Sequence, residues 1–172
     1  MIPETHNAKQ LRLYICVEFP HKWELDTILL DQVDFADTSL MFAGADIWVE
    51  TMEDQGKCQY TNRLFKLNMA NKVISEVQPR IKNWINKRPA GNFFLIGDEW
   101  YHALQECAHV YGEYMHISKV STFNDYTFNE TEIRLLKVSD YSINSTLPFI
   151  YTHTLNRCRN FKLAPFFRHL GS

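Results

Sequence analysis

Three Glu-x-x-His pairs are the part of this sequence whose residue types and spacing most resemble those of a metal-binding site. They follow one another at seven-residue spacing: Glu99–His102, Glu106–His109 and Glu113–His116. On a helix, which turns about 100° per residue, these six side chains fall within roughly a 100° arc. Glu-x-x-His is also the spacing by which one helix offers two ligands to a transition metal. The pattern predicts an amphipathic helix with a carboxylate and imidazole stripe.

Two interpretations of this stripe stay open. The favoured one is a solvated polar face, because the stripe lies opposite Leu104, Cys107 and Tyr111, and every amphipathic helix needs a polar face. No cofactor is then expected. The alternative is a metal-dependent enzyme that holds Fe, Mn or Zn, with its ligands drawn from His102, Glu106, His109, Glu113 and His116. The chain has no Cys-x-x-Cys, so a structural zinc site lacks its usual first half.

The elements that must position these residues follow from the apolar pattern. Alternation predicts strands over 11–19 and over 39–52, the second broken at Gly44, and a strand pair over 116–123 and 126–138. A short apolar run predicts a strand over 92–97 that is covered on both faces. Helical spacing predicts helices over 21–33, 62–87 and 98–117.

These elements predict an α/β or α+β fold, a single-domain sandwich whose mixed sheet of about four or five strands is packed by helices. An all-β fold is excluded on this pattern. One domain is expected over 1–172, with a flexible start at 1–9 and a weakly defined segment at 140–172.

Charge is strongly segregated along the chain. Residues 23–54 hold nine acids and no Lys or Arg, whereas 55–89 hold eight bases and one acid. The favoured interpretation is that elements of opposite charge lie side by side and neutralise each other. The alternative is a separate acidic face that steers a charged partner, with Asp31, Asp34 and Asp37 as its contact residues.

The C-terminal segment interleaves bases with aromatic residues, a combination that anchors interfaces. Its candidate partner-binding residues are Arg157, Arg159, Lys162, Phe166 and Phe167. A protein partner is favoured over nucleic acid, because the sequence pI of about 6.4 lacks the basic footprint of a nucleic-acid binder. RNA binding by this segment stays as a second alternative.

Several function classes are disfavoured. No two of the six glycines lie close together, so a phosphate-binding glycine loop is missing and no nucleotide is expected. No Gly-x-Ser-x-Gly elbow exists. No apolar run reaches the ~20 residues that span a bilayer, and scattered cysteines without a leader peptide predict a cytoplasmic protein with no membrane contact. The sequence therefore favours a non-enzymatic cytosolic module that binds another protein, of the kind a virus or mobile element encodes to modulate a host protein. The oligomeric state is not predicted.

Overall fold

We describe the protein from a computed structural model of its 172 residues. The structure describes residues 1–55, 60–77, 87–107, 112, 114–124, 126–137, 151–156 and 164–168, the last two ranges by their backbone. This part of the chain consists almost entirely of β-strands. Its one helical element is a short 3-10 turn at His6–Ala8.

The strands are short to medium in length and follow one another closely along the chain. In order they are β1 (Gln10–Glu18), β2 (Lys22–Asp31), β3 (Phe35–Ala43), β4 (Asp46–Asp54), β5 (Tyr60–Asn68), β6 (Val73–Glu76), β7 (Lys87–Pro89), β8 (Phe94–Ile96), β9 (Glu99–Glu106), β10 (Tyr114–Asn124), β11 (Thr127–Lys137), β12 (Tyr151–Asn156) and β13 (Ala164–Arg168).

All strand pairings in the described residues are antiparallel. Strands β3, β4, β5 and β6 form a four-stranded sheet in sequence order, which we call the central sheet. Strands β11, β10, β9 and β7, with β8 also paired to β9, form a second sheet, which we call the histidine sheet. Strands β1 and β2 pair as one hairpin, and β12 and β13 as another.

Apolar side chains bury both faces of the central sheet. One face, with Trp48 and Leu64, packs against Leu104 and Phe128 of the histidine sheet. The opposite face packs against the β1–β2 hairpin in a separate cluster. A third cluster covers the far side of the histidine sheet. The layers therefore follow the order of the chain, and the histidine sheet has one face toward the central sheet and one face away from it.

The predicted helix-packed fold is wrong. The predicted helix over 21–33 is strand β2. The described part of 62–87 contains most of β5, all of β6 and the first residue of β7, and the described part of 98–117 is mostly β9 and β10. For β9 the reason lies in burial on two faces. Ala103 and Leu104 are adjacent in β9 and both buried, but they join clusters on opposite sides of the sheet. A strand buried on both sides loses its alternation, so a helical spacing of apolar residues arises by chance.

Several strand predictions are confirmed. The alternating run at 11–19 is β1, the run broken at Gly44 is β3 and β4, and the pair at 116–123 and 126–138 is the β10–β11 hairpin. Strand β8 falls within the predicted 92–97, but its expected cover on both faces is wrong because Leu95 and Ile96 are exposed. The described part holds no helix with the length and apolar character needed to cross a membrane.

Candidate functional site

A buried imidazole lies between two carboxylates where the central and histidine sheets meet. His102 in β9 has 0% exposure; its Nε2 lies 2.6 Å from Glu50 Oε2, and its Nδ1 lies 3.0 Å from Glu130 Oε2. A carboxylate oxygen accepts hydrogen bonds, so both ring nitrogens donate when both carboxylates are ionised. The geometry therefore fits an imidazolium held between two carboxylates, which we call the inter-sheet cluster.

The strand pattern explains why charged groups enter this core. Trp48 and Glu50 are two apart in β4, so both side chains point toward the histidine sheet. Glu50 is fully buried and its second oxygen, Oε1, accepts a 3.0 Å hydrogen bond from Asn62 Nδ2 of β5. The Phe93 ring stacks on the His102 ring at a centroid distance of 4.2 Å and an angle of 8°. This stacking excludes water from one face of the imidazole.

Burial and charge act against each other on the pKa of His102. Burial lowers this pKa, but the charges and hydrogen bonds of Glu50 and Glu130 outweigh burial and raise it from 6.5 to about 9. Burial raises the pKa of Glu50, and the neighbouring His102 opposes that shift. At neutral pH His102 is therefore a charged link between the sheets.

A second imidazole lies nearer the surface of the histidine sheet. The Nδ1 atom of His116 in β10 lies 2.6 Å from Glu132 Oε2, and its Nε2 atom lies 2.9 Å from Glu106 Oε2. The Nζ atom of Lys87 approaches the same Glu132 oxygen at 3.9 Å, beyond hydrogen-bond distance. The two histidines thus have the same carboxylate–imidazole–carboxylate arrangement at different depths.

A small polar pocket opens beside the two clusters. Its volume is about 210 Å³, and the described residues that line it are Lys87, Ser118, Glu130 and Glu132. Ser118 lies opposite His102 of β9 and opposite Glu132 of β11 in the strand register. The pocket therefore shares Glu130 with the inter-sheet cluster and Glu132 with the His116 cluster. We call it the Ser118 pocket.

A larger pocket of about 350 Å³ follows the β5–β6 turn. Its polar side chains are largely engaged within the protein. Lys66 pairs with Asp46 at 3.1 Å, the side-chain oxygen of Asn68 caps the turn amides, and Asn71 bonds to the amide of Val73. These contacts stabilise the turn, so this pocket offers a ligand few polar groups that lack a protein partner.

The predicted Glu/His stripe is divided by the sheet. Glu99, His102 and Glu106 lie in β9 and His116 lies in β10, whereas His109 and Glu113 lie outside the described residues. The prediction of a helix that carries this stripe is wrong. In a strand, residues three apart point to opposite faces, so Glu99 and His102 do not share a face. Among the described residues, no group of three or more His, Cys, Asp or Glu side chains could hold a metal ion.

The predicted partner-binding residues occupy different parts of the molecule. Asp31 is exposed and its Oδ1 accepts a hydrogen bond from Gln10, while Asp34 is half-buried. Asp37 forms an ion pair with Arg88 at 2.5 Å. Phe166 and Phe167 lie in β13, opposite Thr154 and Thr152 of β12, whereas Arg157, Arg159 and Lys162 lie outside the described residues. Their role in binding a protein stays a prediction.

Most residues of the inter-sheet cluster were not predicted from the sequence. Glu50 is 52 residues from His102 and Glu130 is 28 residues from it. No local motif joins these residues, because strand pairing and sheet packing bring them together. The one available signal was an isolated acid among the apolar residues of β4: Glu50 follows Trp48 and Val49 on a strand whose two faces are both buried.

Comparisons with known proteins show which protein family the chain resembles. A protein-family model described as "Glucosamine inositolphosphorylceramide transferase 1, N-terminal" matches residues 1–159. Glucosamine inositolphosphorylceramide transferase 1 of Arabidopsis thaliana is 24% identical over 140 residues, which cover 77% of this chain and 18% of that protein. The protein of the same name from Oryza sativa subsp. indica is 23% identical over 142 residues, covering 78% of this chain and 19% of that protein. No solved structure matches the chain significantly.

These matches overturn the predicted accessory protein of a virus or mobile element. The relatives are plant proteins named as transferases, and no viral protein is among them. The prediction was wrong because it argued from missing motifs, and a chain that spans 18–19% of its relatives need not carry the motifs of those longer proteins. With residues 1–159 of 172 matched, the chain belongs to the family of the N-terminal region of glucosamine inositolphosphorylceramide transferase 1.

Proposed function

We propose that this chain acts as the N-terminal β domain of a glycosyltransferase of the kind for which its relatives are named. The observation that carries the proposal is the family match over residues 1–159. The chain spans less than a fifth of each relative's length, so the relatives have ample sequence elsewhere for a catalytic domain. The proposed role is to support the transferase and present a substrate, while the transfer step belongs to the rest of the protein.

The geometry of the described residues favours this supporting role. His102 and Glu50 are fully buried and bonded to each other, so they join two sheets and do not reach a substrate. Burial raises the pKa of the Cys107 thiol to about 11, which leaves that group protonated and weakly nucleophilic at neutral pH. The titratable side chains of His102, Glu50 and Cys107 therefore suit a structural role better than a catalytic one.

A chimera tests the proposed function. The matching 140-residue region of the Arabidopsis relative is replaced by this chain, and the transferase activity named for that relative is assayed. We expect the folded chimera to keep measurable activity, and a version from which the region is deleted to lose it. A deletion that transfers as well as the intact relative would show that the region has no supporting role.

A further inference from the structure

An acceptor signal for N-linked glycosylation lies in strand β11. The signal is Asn-x-Ser/Thr with any residue except proline at x, and Asn129-Glu130-Thr131 matches it. A second match, Asn144-Ser145-Thr146, lies outside the described residues. Because so short a signal also arises by chance, its position in the fold decides whether it suits a glycan.

The alternation of β11 directs the acceptor away from the core. Phe128 belongs to the apolar cluster between the two sheets, and Glu130 bonds to the buried His102. Side chains alternate along a strand, so Asn129 and Thr131 both point to the opposite face. Both residues are exposed. The amide and the hydroxyl of the signal therefore lie on one solvent-facing side of the strand.

The surroundings of Asn129 accommodate a large group. Thr122 lies opposite it in the register of β10 and is exposed as well. The carbonyl oxygen of Asn129 accepts a hydrogen bond from Ser121, but no residue that the structure describes hydrogen-bonds its side-chain amide. A covalent bond at Nδ2 therefore breaks no side-chain hydrogen bond in the described part of the chain.

The edge of the histidine sheet gives such a group a physical use. In the described sheet β11 pairs with β10 alone, and Ile133 and Leu135 of β11 are 54% and 46% exposed. An exposed edge strand with apolar side chains invites pairing with another chain unless something blunts it. At about 3.3 Å per residue, Asn129 is roughly 13 Å from Ile133 along the strand. A bulky, solubilising glycan at Asn129 would hinder such pairing.

We propose that Asn129 carries an N-linked glycan. In the transfer, Asn129 Nδ2 forms a bond to C1 of a polyprenyl-pyrophosphate-linked oligosaccharide. The C1–O bond to the pyrophosphate breaks, the amide nitrogen loses one proton, and the polyprenyl pyrophosphate leaves. This modification belongs to secreted and lumenal chains. A glycan at Asn129 therefore places this part of the chain in the secretory pathway, in contrast to the predicted cytoplasmic location.

The test is mass spectrometry of the protein purified from the cells that produce it. A peptide N-glycosidase in heavy-oxygen water converts each glycosylated Asn to an Asp that carries the heavy oxygen. A digest without the enzyme corrects for spontaneous deamidation. We expect the peptide that contains Asn129 to carry the label. The same peptide recovered with an unlabelled, unmodified Asn129 would refute the glycan.

Variants at Thr131 connect the glycan to the signal. Each is expressed in the same cells in an Asn144→Gln background, so that the signal at Asn129 is the one Asn-x-Ser/Thr left. Thr131→Val keeps the shape of the side chain but removes the required hydroxyl, and it should lose the whole glycosidase-sensitive shift in gel mobility. Thr131→Ser is the matched control, because it keeps a hydroxyl, and it should keep the shift.

The controls separate loss of the signal from loss of the fold. Thr131 is exposed, so both variants should unfold at the same urea concentration as the Asn144→Gln parent. A Thr131→Val variant that shifts like this parent would refute Asn129 as the acceptor. The glycan does not rest on the proposed function: an unlabelled Asn129 refutes the glycan whether or not the chimera transfers.

Discussion

At the scale of single residues, His102 shows how a charge can be kept inside a β-sheet core. Removing an ion from water is costly, and the cost is offset only when partners with good geometry replace the lost hydration. Glu50 and Glu130 supply those partners, and the Phe93 ring covers one face of the imidazole. His116 uses the same chemistry with more exposure to water, since its partner Glu132 has a side chain 46% exposed.

The raised pKa of His102 predicts how stability depends on pH. Below pH 6.5 the imidazole is protonated in both states, and its contribution to folding is fully present. Between pH 6.5 and about 9 the unfolded chain has released this proton and the folded chain still holds it, so stability falls as pH rises. The loss approaches about 1.4 kcal/mol per pH unit, the limit for one proton.

Urea denaturation at several pH values measures this slope in the parent chain. The control is His102→Gln, which cannot titrate and should lack most of the decline between pH 6.5 and about 9, whatever its absolute stability. An equal slope in both proteins would mean that His102 is not the group responsible and that its pKa is not raised.

At the scale of secondary-structure elements, the central strand β9 of the histidine sheet is buried on both faces. The sheet becomes more exposed to solvent toward its edge strand β11. Leu104 of β9 and Leu135 of β11 lie on either side of His116 in the register. Leu104 is 1% exposed and joins the core shared with the central sheet, whereas Leu135 is 46% exposed. The same residue type on the two strands that flank β10 therefore has very different surroundings.

The contrast between Leu104 and Leu135 predicts which of the two side chains contributes more to the free energy of unfolding. Leu104→Ala should lower the free energy of unfolding by about 2–5 kcal/mol, because it removes buried contacts and leaves a cavity. Leu135→Ala is the matched control and should cost less than about 1 kcal/mol, as changes at exposed sites usually do. Chemical denaturation of both variants measures the difference. Similar losses would contradict the layer order described above.

At the scale of the whole molecule, the charge blocks neutralise each other. Among the described residues, acids of the block 23–54 pair with bases of the block 55–89 in four places: Arg63–Glu53, Lys66–Asp46, Lys72–Asp26 and Arg88–Asp37. Two of these pairs, Lys72–Asp26 and Arg88–Asp37, also join different layers. The favoured interpretation of the charge pattern therefore has structural support, and an acidic face built on Asp37 would need to break an ion pair.

The Lys72–Asp26 pair gives a prediction at this scale, because it connects the β5–β6 turn to the β1–β2 hairpin at 3.2 Å. Lys72→Gln should destabilise the protein by less than about 1 kcal/mol, and high salt should abolish the difference by screening. The control is Lys22→Gln, which loses a more exposed pair within one strand and should change stability less. Denaturation at low and high salt tests both. A loss that persists in high salt would show that packing of the Lys72 stem matters more than its charge.

The sequence by itself determined the features that depend on neighbours along the chain. Alternation located β1, the glycine at position 44 located the turn between β3 and β4, and the break between the runs 116–123 and 126–138 separated β10 from β11. In each case one face of a strand is exposed or a turn needs a particular residue, so the local pattern reports the structure directly. The segregation of charge along the chain also predicted that elements of opposite charge lie side by side and form ion pairs.

Only the tertiary structure decided that residues 62–76 and 99–106 fold mainly as strands, and this in turn determines where the site lies. These segments become strands because neighbouring strands supply their hydrogen bonds. Strands β5 and β9 are also buried on both faces, and this removes the alternation that would have revealed them. The spacing of the Glu99–His102 pair does not bring its two side chains together, since a strand sends residues three apart to opposite faces. The partners of His102 come instead from Glu50 and Glu130, which only the packing of two sheets brings within hydrogen-bond distance.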